Sequence, residues 1–587
     1  MYALIQPDIL KIEKLYWYSI NEIDNISVGS IVRIILNGRK VRGWVIKKSE
    51  IIPDDIEITK LKPVIEFVSR GPNEKMLSFS IELSKYYLVS PVVFLRMCSP
   101  DVIVKDTQFQ KSSYRSFTRP SCDAKSPQVI YVNPRENRRK LILENIASIG
   151  STIIITPDSR MKIAKFLRET GHKVIVINID GKVSREVYLQ MGQGNCVVIA
   201  SRKAIFANVD DLNSIIILDD GFEQLRDERS PRFHSVDVAK LRAAKENCNL
   251  TVITSVPTVV VRDFNISDKR SAEGLWPKIQ IENLLKTDPT LGIFTHKVVN
   301  AIKKVVELGG NVALISNNTT IARKLICKKC ENIIVCEHCS HNVILSGDDQ
   351  LTCEICKKIR PKICSNCGGI ELKKYRKGNK SLKGELDKLF PKTNILEIEK
   401  NTEVPEELIS GKIPNILIGT ESIFHIGSVT KNILLFVFLD FDSYLLRPRS
   451  DAFEQSLISI TRALRLLKQT QLEISMLLIT KMPDHQIIKD LQAGDFVSNL
   501  NRDLELKMQL GTAPINATVQ IKVKNDDLSN LIETFPTEIL DGYYEDGEYS
   551  YISLTAENHQ ELTLKSYDLI RNFSTNHRVS LAVDSYE

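Results

Sequence analysis

Long apolar runs are absent from this 587-residue chain, since no stretch reaches the roughly 18 residues that a helix needs to cross a bilayer. The first residues, MYALIQPDIL, lack the basic and apolar segments of a secretory signal. These absences argue against a membrane protein and against a secreted one. With 43% hydrophobic residues, the chain is expected to form roughly three to five domains, soluble and cytoplasmic.

Cysteine is scarce over most of the chain. Cys98, Cys122, Cys196 and Cys248 lie far apart without regular spacing, and we interpret them as reduced thiols. The other eight of the twelve cysteines fall within one short segment as four Cys-x-x-Cys pairs, Cys327/Cys330, Cys336/Cys339, Cys353/Cys356 and Cys364/Cys367. Each such turn presents two thiolates to one metal, so the eight thiolates predict two zinc ions per chain.

Two alternatives apply to this segment. A disulfide framework needs an oxidising compartment, which the missing signal sequence argues against. His338 and His341 could also be ligands, but eight thiolates already fill two tetrahedral sites. We therefore favour zinc and expect both histidines to be exposed loop residues.

Positive charge is concentrated next to the cysteines. The chain carries a net charge of +7, and residues 357–383 contain ten Lys or Arg residues and one acid, Glu371. Such a run is most often a solvated face. Beside a zinc module it also fits contacts with nucleic-acid phosphates, for which Lys373, Lys374, Arg376 and Lys377 are the candidates.

The pattern of apolar residues predicts several domains. Alternating runs around Asn37 and Gly38 indicate a β-hairpin in a small β-rich domain, and the polar, Ser-rich stretch 105–127 reads as a linker. Two sets of buried β-branched strands follow, between 129 and 255 and between 311 and 480, as in parallel sheets covered on both faces. Three further strands, 517–524, 549–555 and 578–584, predict an α+β domain at the end.

The cysteine segment, together with ILIGTESIF (416–424), FLDFDSYLLRPRSDAFEQ (438–455) and LQAGDF (491–496), resembles the PriA replication-restart helicases, also called primosomal protein N′. Other parts of that family are resembled by SRKAIFANVDDLNSIIILDDGFEQLRDERSPRFHSVDVAKLRA (201–243) and by VGSIVRIILNGRKVRGWVI (28–46) with LKPVIEFV (61–68). The resemblance thus runs in order along nearly the whole chain. The resemblance implies an α/β fold with two tandem RecA-like helicase lobes, a zinc-binding insert, a β-rich N-terminal domain and an α+β C-terminal domain. It also implies that the outer cysteines Cys327, Cys330, Cys364 and Cys367 share one zinc and the inner cysteines Cys336, Cys339, Cys353 and Cys356 the other.

This plan gives domain boundaries along the sequence. We expect a DNA 3′-end-binding-like domain at 1–104, a linker at 105–127 and a degenerate first lobe at 128–305. The second lobe is expected at 306–326 and 370–471, interrupted by the zinc module at 327–369. The C-terminal domain is expected at 472–587.

The phosphate-binding loop of the family is missing from its expected place. The family carries Gly-x-x-x-x-Gly-Lys-Ser/Thr after the first strand of lobe one, where this chain reads YVNPRENRRKL (131–141). The backbone amides of that loop hold the phosphates, and its Ser/Thr hydroxyl holds magnesium. Four basic residues of this segment, Arg135, Arg138, Arg139 and Lys140, could attract anions but cannot replace a ring of amides, so ATP is not expected as a cofactor.

Two further parts of the motor are altered. Asp219 and Asp220 match the family's acidic motif, but Gly221 and Phe222 stand where the family has an acid and a histidine. From the residues alone we interpret these aspartates as two solvated acids at a strand end. In SITRALR (459–465), Arg462 and Arg465 match the arginine-finger segment, whose flanking glycines are gone, and we expect both to be exposed or to face a phosphate backbone.

The resemblance also implies a pocket for the 3′-terminal nucleotide. The matching positions are Tyr16, Trp17, Gly38 and Lys62, with Tyr16 stacking on a base and Lys62 contacting phosphate. Trp17 stands where the family has an acid. The same four residues also fit a β-barrel with ordinary surface aromatics and a hairpin glycine.

Three functions remain open at this stage. The first is a zinc-dependent protein that binds stalled or abandoned forks and single-stranded DNA, and promotes primosome assembly and loading of the replicative helicase without being an enzyme. The second is an ATP-dependent 3′–5′ DNA helicase with an atypical nucleotide site. The third is a zinc-organised module that binds only proteins.

Overall fold

The computed structural model describes the chain from Met1 to Glu587 apart from several segments. The residues outside the description are 21–25, 55, 106–125, 158–159, 178–182, 271–275, 277, 287–292, 317–324, 331, 339–342, 347–349, 354–357, 375–378, 400–414, 428–431, 448, 469–471, 514 and 585–587. The described residues form two compact units. The first unit contains residues 1–132, 136–270 and 500–586, and the second contains 133–135 and 271–499.

The N-terminal part of the first unit is an antiparallel sheet with the strand order β2-β1-β4-β3-β5. Its strands are β1 (Tyr2–Pro7), β2 (Tyr16–Ser19), β3 (Ile31–Leu36), β4 (Arg39–Ser49) and β5 (Glu66–Ser69), followed by α1 (Glu74–Tyr86) and α2 (Pro91–Cys98). The hairpin predicted at Asn37 and Gly38 joins β3 to β4, and φ angles of +48° and +78° at these two residues are those that a tight two-residue hairpin turn requires.

A seven-stranded sheet, parallel throughout, forms the centre of the first unit in the order β12-β6-β11-β10-β7-β9-β8. The strands are β6 (Gln128–Tyr131), β7 (Ser151–Ile155), β8 (Val174–Val176), β9 (Val197–Ala200), β10 (Leu212–Leu218), β11 (Asn249–Thr254) and β12 (Asn265–Asp268). The helices are α3 (Arg138–Asn145), α4 (Arg160–Glu169), α5 (Arg185–Gly192) and α6 (Ser235–Glu246). The continuous β-branched runs are buried, as expected for a sheet covered by helices.

The second unit has its own parallel sheet, in the order β13-β24-β23-β14-β22-β21. The strands are β13 (Ile279–Asn283), β14 (Asn311–Ile315), β21 (Asn394–Ile398), β22 (Asn415–Gly419), β23 (Ile433–Phe438) and β24 (Met476–Thr480). The helices are α7 (His296–Glu307), α8 (Asn379–Leu389), α9 (Ser422–Gly427), α10 (Asp442–Leu445), α11 (Ala452–Leu466), α12 (Gln486–Ala493) and α13 (Phe496–Leu510), the last of which continues beyond this unit.

Two expected domain boundaries need correction. Strand β13 and all but the last two residues of helix α7 fall within 128–305. Yet β13 pairs with β24, and Val298 and Ile302 of α7 belong to the core of the second sheet. Strand β24 lies beyond the boundary at 472, yet it pairs with β23, in agreement with its strand pattern. Both boundaries are displaced for the same reason. The sheet that an apolar strand or helix joins is decided by where its apolar side chains can be buried, and not by where the composition of the chain changes.

The cysteine segment forms two small antiparallel sheets within the second unit. One contains β15 (Leu325–Cys327), β16 (Ile333–Ile334) and β20 (Leu372–Lys374), and the other β17 (Val343–Leu345), β18 (Gln350–Cys353) and β19 (Ile359–Pro361). Their buried residues include Leu325, Val343 and Leu351 together with four cysteines. A core this small is typical of segments that a metal or another cross-link stabilises.

The C-terminal part of the first unit is a four-stranded antiparallel sheet in the order β26-β27-β25-β28. Its elements are β25 (Ala517–Lys524), α14 (Leu528–Ile532), β26 (Leu540–Asp546), β27 (Tyr549–Ala556), α15 (His559–Asn576) and β28 (Ser580–Val583). The predicted α/β class is confirmed by the two parallel sheets. In the part of the chain that the structure describes, no helix is long and apolar enough to span a membrane.

Candidate metal centre and remnants of a nucleotide site

The outer four cysteines converge on one point. Cys327 ends β15 and Cys330 follows in a tight turn, while Cys364 and Cys367 occupy the equivalent turn before β20. The Sγ atoms of Cys327 and Cys367 are 3.4 Å apart, those of Cys330 and Cys364 are 3.6 Å apart, and all four lie within 4.8 Å of one another. Tetrahedral zinc with Zn–S bonds of about 2.3 Å places its sulfur atoms about 3.8 Å apart, so the cluster has the size of a four-thiolate metal site.

The backbone around the cluster favours thiolates. Hydrogen bonding from the Asn332 backbone, followed by the Cys367 thiol, lowers the pKa of Cys330 to about 6. The backbone N–H of Cys330 in turn lowers the pKa of Cys327. These donors favour the deprotonated sulfur that a metal ligand requires. Cys367 behaves differently, because in spite of hydrogen bonding from the Gly369 backbone the thiols of Cys330 and Cys327 raise its pKa to about 12.

Gly369 keeps space open beside two of the sulfur atoms. A Cβ atom at this position would lie 3.0 Å from Sγ of Cys327 and 3.3 Å from Sγ of Cys367, closer than ordinary van der Waals contact. The preceding residue, Gly368, has a φ of +70°, a backbone conformation that is strained for any residue with a side chain. The residues present therefore fit a four-thiolate metal ion.

Only half of the inner cysteine set can be placed. Cys336 and Cys353 are buried and belong to the same small core as the outer cysteines. Cys339 and Cys356 lie outside the described residues, and so does His341, whereas His338 is exposed as expected. The second four-thiolate site stays a prediction.

The two aspartates of the acidic motif are not solvated, contrary to the expectation from sequence. Asp219 follows β10 with a φ of +61° and is 7% exposed, and Asp220 is fully buried. Arg138, the first residue of α3, donates from its Nη1 to Oδ2 of Asp219 at 2.7 Å and from its Nη2 to Oγ of Ser255 at 2.8 Å. Arg138 was grouped with anion-attracting residues in the sequence, but its side chain neutralises a carboxylate of the same unit.

Asp220 is held differently from its neighbour. Its Oδ2 accepts hydrogen bonds from the backbone N–H and the hydroxyl of Thr258, at 2.9 and 2.8 Å. Burial raises the pKa of Asp220 to about 6, in spite of these donors, and the Asp219 charge adds to the rise. The next residues contribute no acid, because Gly221 has no side chain and Phe222 is buried in the apolar interior.

Arg462, one of the two arginines of the finger segment, is also paired within its own unit. Its Nη1 lies 3.7 Å from Oε2 of Glu421, and its guanidinium stacks over the Phe424 ring at 4.7 Å. Arg447 contacts the same carboxylate at 3.5 Å. Arg462 is therefore not exposed, since 11% of its side chain is accessible, and Arg465 is half-buried. The other expectation, that these arginines face a phosphate backbone, stays a prediction. Glu421 lies two residues after the end of β22, and nothing in the sequence indicated that it would pair with Arg462.

The positions matched to a 3′-end pocket lie on the N-terminal sheet. Tyr16 and Trp17 are half-buried on β2, and the exposed Lys62 lies beside that strand because its carbonyl accepts a hydrogen bond from the Ser19 backbone N–H at 3.1 Å. Gly38 is at the exposed tip of the β3–β4 hairpin. Tyr16 and Lys62 are thus on adjacent segments, and Gly38 is on a different pair of strands.

The basic candidates for phosphate contacts are only partly described. Lys373 and Lys374 belong to β20, which pairs with β15 beside the outer cysteines. Arg376 and Lys377 lie outside the described residues. The structure thus locates the backbone of the first two lysines at the metal centre and leaves their phosphate contacts as a prediction.

The two parallel sheets with their helices define the class as an α/β protein. It also carries a cysteine-rich segment with four thiols placed to hold a metal ion. Comparison with known protein families shows which of them this chain resembles. The model of the PriA 3′ DNA-binding domain matches residues 6–100. The chain is PriA-like in sequence beyond that domain as well.

The relatives show how far this similarity extends. Replication restart protein PriA of Haemophilus influenzae is 24% identical over 361 residues, which cover 57% of this chain and 48% of the relative. The Rickettsia felis protein of the same name is 21% identical over 578 residues, covering 88% of this chain and 86% of the relative. The chain spans about half the length of the first relatives that it matches. Among solved structures, the DUF1998 helicase MrfA bound to DNA has a TM-score of 0.32 and 10% identity, covering 75% of this chain and 57% of that chain.

Proposed function

We propose that this protein is a DNA-binding replication restart protein without helicase activity. It binds stalled or abandoned forks in the cytoplasm and promotes assembly of a primosome and loading of the replicative helicase. The match of residues 6–100 to a 3′ DNA-binding domain and the PriA relatives support the DNA-binding role. The two parallel sheets then serve as folded architecture rather than as a motor.

The ion pair between Arg138 and Asp219 is the main observation in support of the proposal that this protein does not hydrolyse ATP. In an ATP-driven motor the acid at this strand end faces the magnesium that bridges the phosphates. Here a guanidinium lies 2.7 Å from that carboxylate, and the accessible fractions of the two side chains are 14% and 10%. Binding magnesium would require breaking a largely buried ion pair, which typically costs several kcal/mol.

Arg462 supports the same conclusion from the second unit. An arginine finger acts by stabilising charge on a transferring phosphate, for which it must be free to reach the nucleotide. The carboxylate of Glu421 balances the charge of this guanidinium, and the Phe424 ring covers one of its faces. In each unit, then, the residue that matches a catalytic position of the family is paired with a side chain of the same unit, Asp219 with Arg138 and Arg462 with Glu421.

Zinc has a structural role in this proposal. Two zinc ions, one on the outer cysteines and one on the inner cysteines, would hold together a segment that has little core of its own. Thiolates of Cys327, Cys330, Cys364 and Cys367 would hold the first ion. When bound, it supplies fixed geometry and charge balance and no reaction chemistry.

DNA contacts are proposed on two surfaces. On the N-terminal sheet, Tyr16, Gly38 and Lys62 would hold the 3′-terminal nucleotide by stacking and phosphate contact. Beside the metal centre, the basic run would contact the phosphate backbone. Charge reversal of Lys373, Lys374, Arg376 and Lys377 should weaken binding to all sequences alike and reduce its salt dependence, and an unchanged affinity would leave the run a solvated surface.

The second candidate is an ATP-dependent 3′–5′ helicase with an atypical nucleotide site. The retention of both Asp219 and Asp220 at the end of β10 favours it, since a single strand-end acid would suffice for a structural ion pair. Under this alternative, Arg138 would have to leave Asp219 when nucleotide binds.

A turnover measurement separates the two candidates. We expect purified protein to bind a fork-structured oligonucleotide while showing no ATP hydrolysis above background with single-stranded DNA. The control for contaminating ATPase is an Asp219→Asn, Asp220→Asn double variant. Turnover that is present in the wild type and absent in this variant would restore the helicase candidate.

A further inference from the structure

The C-terminal sheet has one covered face and one open face. Its β-α-β-β-α-β chain order and its strand order β26-β27-β25-β28 are those of a ferredoxin-like fold. Helix α15 packs against β25 and β27 on one side, where Val519, Ile521 and Ile552 are buried. The residues between these positions alternate to the other side of the sheet. That side is half-buried or exposed along both central strands.

Aromatic and basic side chains form a continuous row on the open face. Tyr544 on β26 lies directly opposite Tyr551 on β27, which lies opposite Lys522 on β25. The rings of Tyr544 and Tyr551 are stacked, with centroids 4.9 Å apart and planes 5° from parallel. Nζ of Lys522 is 4.2 Å from the centroid of the Tyr549 ring and 5.2 Å from that of Tyr551. We call Tyr544, Tyr549, Tyr551 and Lys522 the tyrosine platform.

These rings are more accessible than a structural role explains. Tyr544 is 52% exposed and Tyr549 is 39% exposed, although tyrosine usually buries most of its ring. Tyr544 is oriented by Gln520, which donates from Nε2 to its hydroxyl at 3.4 Å. Exposed aromatic rings held flat on a sheet are typical of binding surfaces.

We propose that the tyrosine platform binds unpaired bases of single-stranded DNA by stacking. Every base has a flat π-face, so stacking on parallel rings accepts any sequence. Four-stranded sheets of this topology in RNA-recognition domains carry their base-stacking aromatics on the open face as well. Lys522, lying over two rings, supplies a cation where the phosphates of a stacked strand pass. This inference rests on the proposed DNA-binding role and adds a site to it.

The charges around the platform define how the strand is bound. Lys522 and Lys524 lie on β25, whereas Asp546 and Glu548 lie at the turn between β26 and β27. We therefore expect the phosphates to pass over β25 and the bases to point toward β26. Two lysines permit about two phosphate contacts, so the slope of log affinity against log salt should be no steeper than about −1.4 for this site.

The test uses the full chain and a fluorescein-labelled oligothymidylate of about 12 nucleotides with a 3′-phosphate, which blocks recognition of a free 3′ end. A Tyr544→Ala, Tyr551→Ala double variant should bind this probe at least about ten-fold more weakly in fluorescence anisotropy, because base stacking on each aromatic ring is removed. A Tyr544→Phe, Tyr551→Phe variant should bind within about two-fold of the wild type, since it keeps both rings.

Tyr543 offers a matched control. It is adjacent to Tyr544 and 58% exposed, but it lies opposite Ile552 and therefore on the other side of the strand. Tyr543→Ala should leave binding unchanged. Equal binding by the wild type and the Tyr544→Ala, Tyr551→Ala variant would overturn the proposal, as would equal losses in all three alanine positions. A face that serves a protein partner would give the first of these results.

Photochemical cross-linking gives a readout independent of affinity. Oligonucleotides with 5-iododeoxyuridine should cross-link to peptides containing Tyr544 or Tyr551, because the reaction favours stacked aromatic rings. Fork binding without such cross-links or probe binding would overturn the platform and leave the proposed function in place. Cross-links and probe binding without fork binding would support the platform and contradict the proposed function.

Discussion

The four-cysteine cluster and the acidic strand end of β10 are both places where anionic groups converge, but they are balanced in opposite ways. Around Cys327 and Cys330 the neighbouring groups are mainly backbone N–H donors, which lower the pKa of both thiols without neutralising the resulting charge. In spite of hydrogen bonding from the Gly369 backbone, the neighbouring thiols raise the pKa of Cys367 to about 12. At Asp219 the guanidinium of Arg138 supplies a full positive charge at 2.7 Å.

The difference separates a site that needs an external cation from one that has an internal cation. Four thiolates within 4.8 Å repel one another unless a metal ion is present. The carboxylate of Asp219 is already paired, so an incoming metal would compete with Arg138 for it. We therefore expect metal dependence of stability in the cysteine module and none at the end of β10.

The largest expected effect follows from removing one outer ligand. A Cys330→Ser variant should lose one zinc ion per chain in elemental analysis, and its cysteine module should become sensitive to protease while both parallel sheets stay folded. Structural zinc contributes on the order of 10 kcal/mol of apparent binding free energy in small modules, far more than their cores. A chelator should produce the same change in the wild type.

Cys248→Ser is the matched control, because Cys248 is buried outside any Cys-x-x-Cys pair. It should keep the full zinc content. A Cys330→Ser variant with undiminished zinc would contradict the outer site.

The next effect comes from removing the internal cation. Arg138→Met should lower the free energy of unfolding of the first unit by about 3 kcal/mol, because it leaves the carboxylate of Asp219 nearly buried without its partner. Adding Asp219→Asn should restore much of this loss, since it removes the unpaired charge. Urea unfolding followed by circular dichroism, on single and double variants, measures the coupling.

Arg139→Met controls for the loss of a neighbouring arginine. Arg139 is exposed and stacks over Phe166, so its removal should change stability by no more than about 1 kcal/mol. If Arg138→Met and Arg139→Met lowered the free energy of unfolding equally, the ion pair with Asp219 would not contribute to stability beyond the loss of any arginine in this helix.

Asp220 is a buried carboxylate without a cationic partner among the residues that the structure describes, so its effect on stability should depend on pH. Its pKa is raised from 3.8 to about 6 in the folded protein, so the folded state loses stability as pH rises from about 4 through 6. Asp220→Asn lacks this titration. The variant should be more stable than the wild type by up to about 3 kcal/mol above pH 7, and this gain should vanish below pH 4. A gain that is independent of pH would contradict burial as its cause.

The smallest effect is expected at Gly369. A methyl group there would meet sulfur at 3.0 Å, so Gly369→Ala should weaken zinc affinity by about ten-fold, or about 1.4 kcal/mol, as measured by competition with a chromogenic chelator. Gly384→Ala is the control, since a Cβ atom at that helical position meets nothing within 4 Å. Equal zinc affinities would mean that the turn adjusts without cost.

Local patterns were enough to predict most of the secondary structure. The Asn37-Gly38 hairpin is confirmed, because only a few residues adopt the positive φ angles of its turn. The predicted strands of both parallel sheets are confirmed, because a strand buried on both faces has little alternative to continuous β-branched residues. The edge strands β12 and β13 were not predicted, and their residues are mostly half-buried or exposed. Boundaries were less predictable, as shown by β13 and α7, which join the second sheet through packing rather than through any local feature.

Pairings between distant residues were not predictable. Arg138 and Asp219 are 81 residues apart, and Arg462 and Glu421 belong to different elements. A lone arginine or aspartate in sequence is usually solvated, so the interpretation of Asp219 and Asp220 as exposed acids followed the common case. Tyr544 likewise gained significance only when the sheet placed it beside Tyr551.

The sequence by itself determined that eight cysteines occur at metal-binding spacing and that parallel-sheet strands form two sets. It also determined that no Gly-x-x-x-x-Gly-Lys-Ser/Thr pattern follows the first strand of the first set. Each is a property of residues close together in the chain. Only the tertiary structure decided which carboxylate is paired, which arginine is occupied and which aromatic rings stack. Those outcomes depend on burial and on distances between remote residues, since charges and rings interact strongly only when folding brings them within a few ångströms and removes water between them.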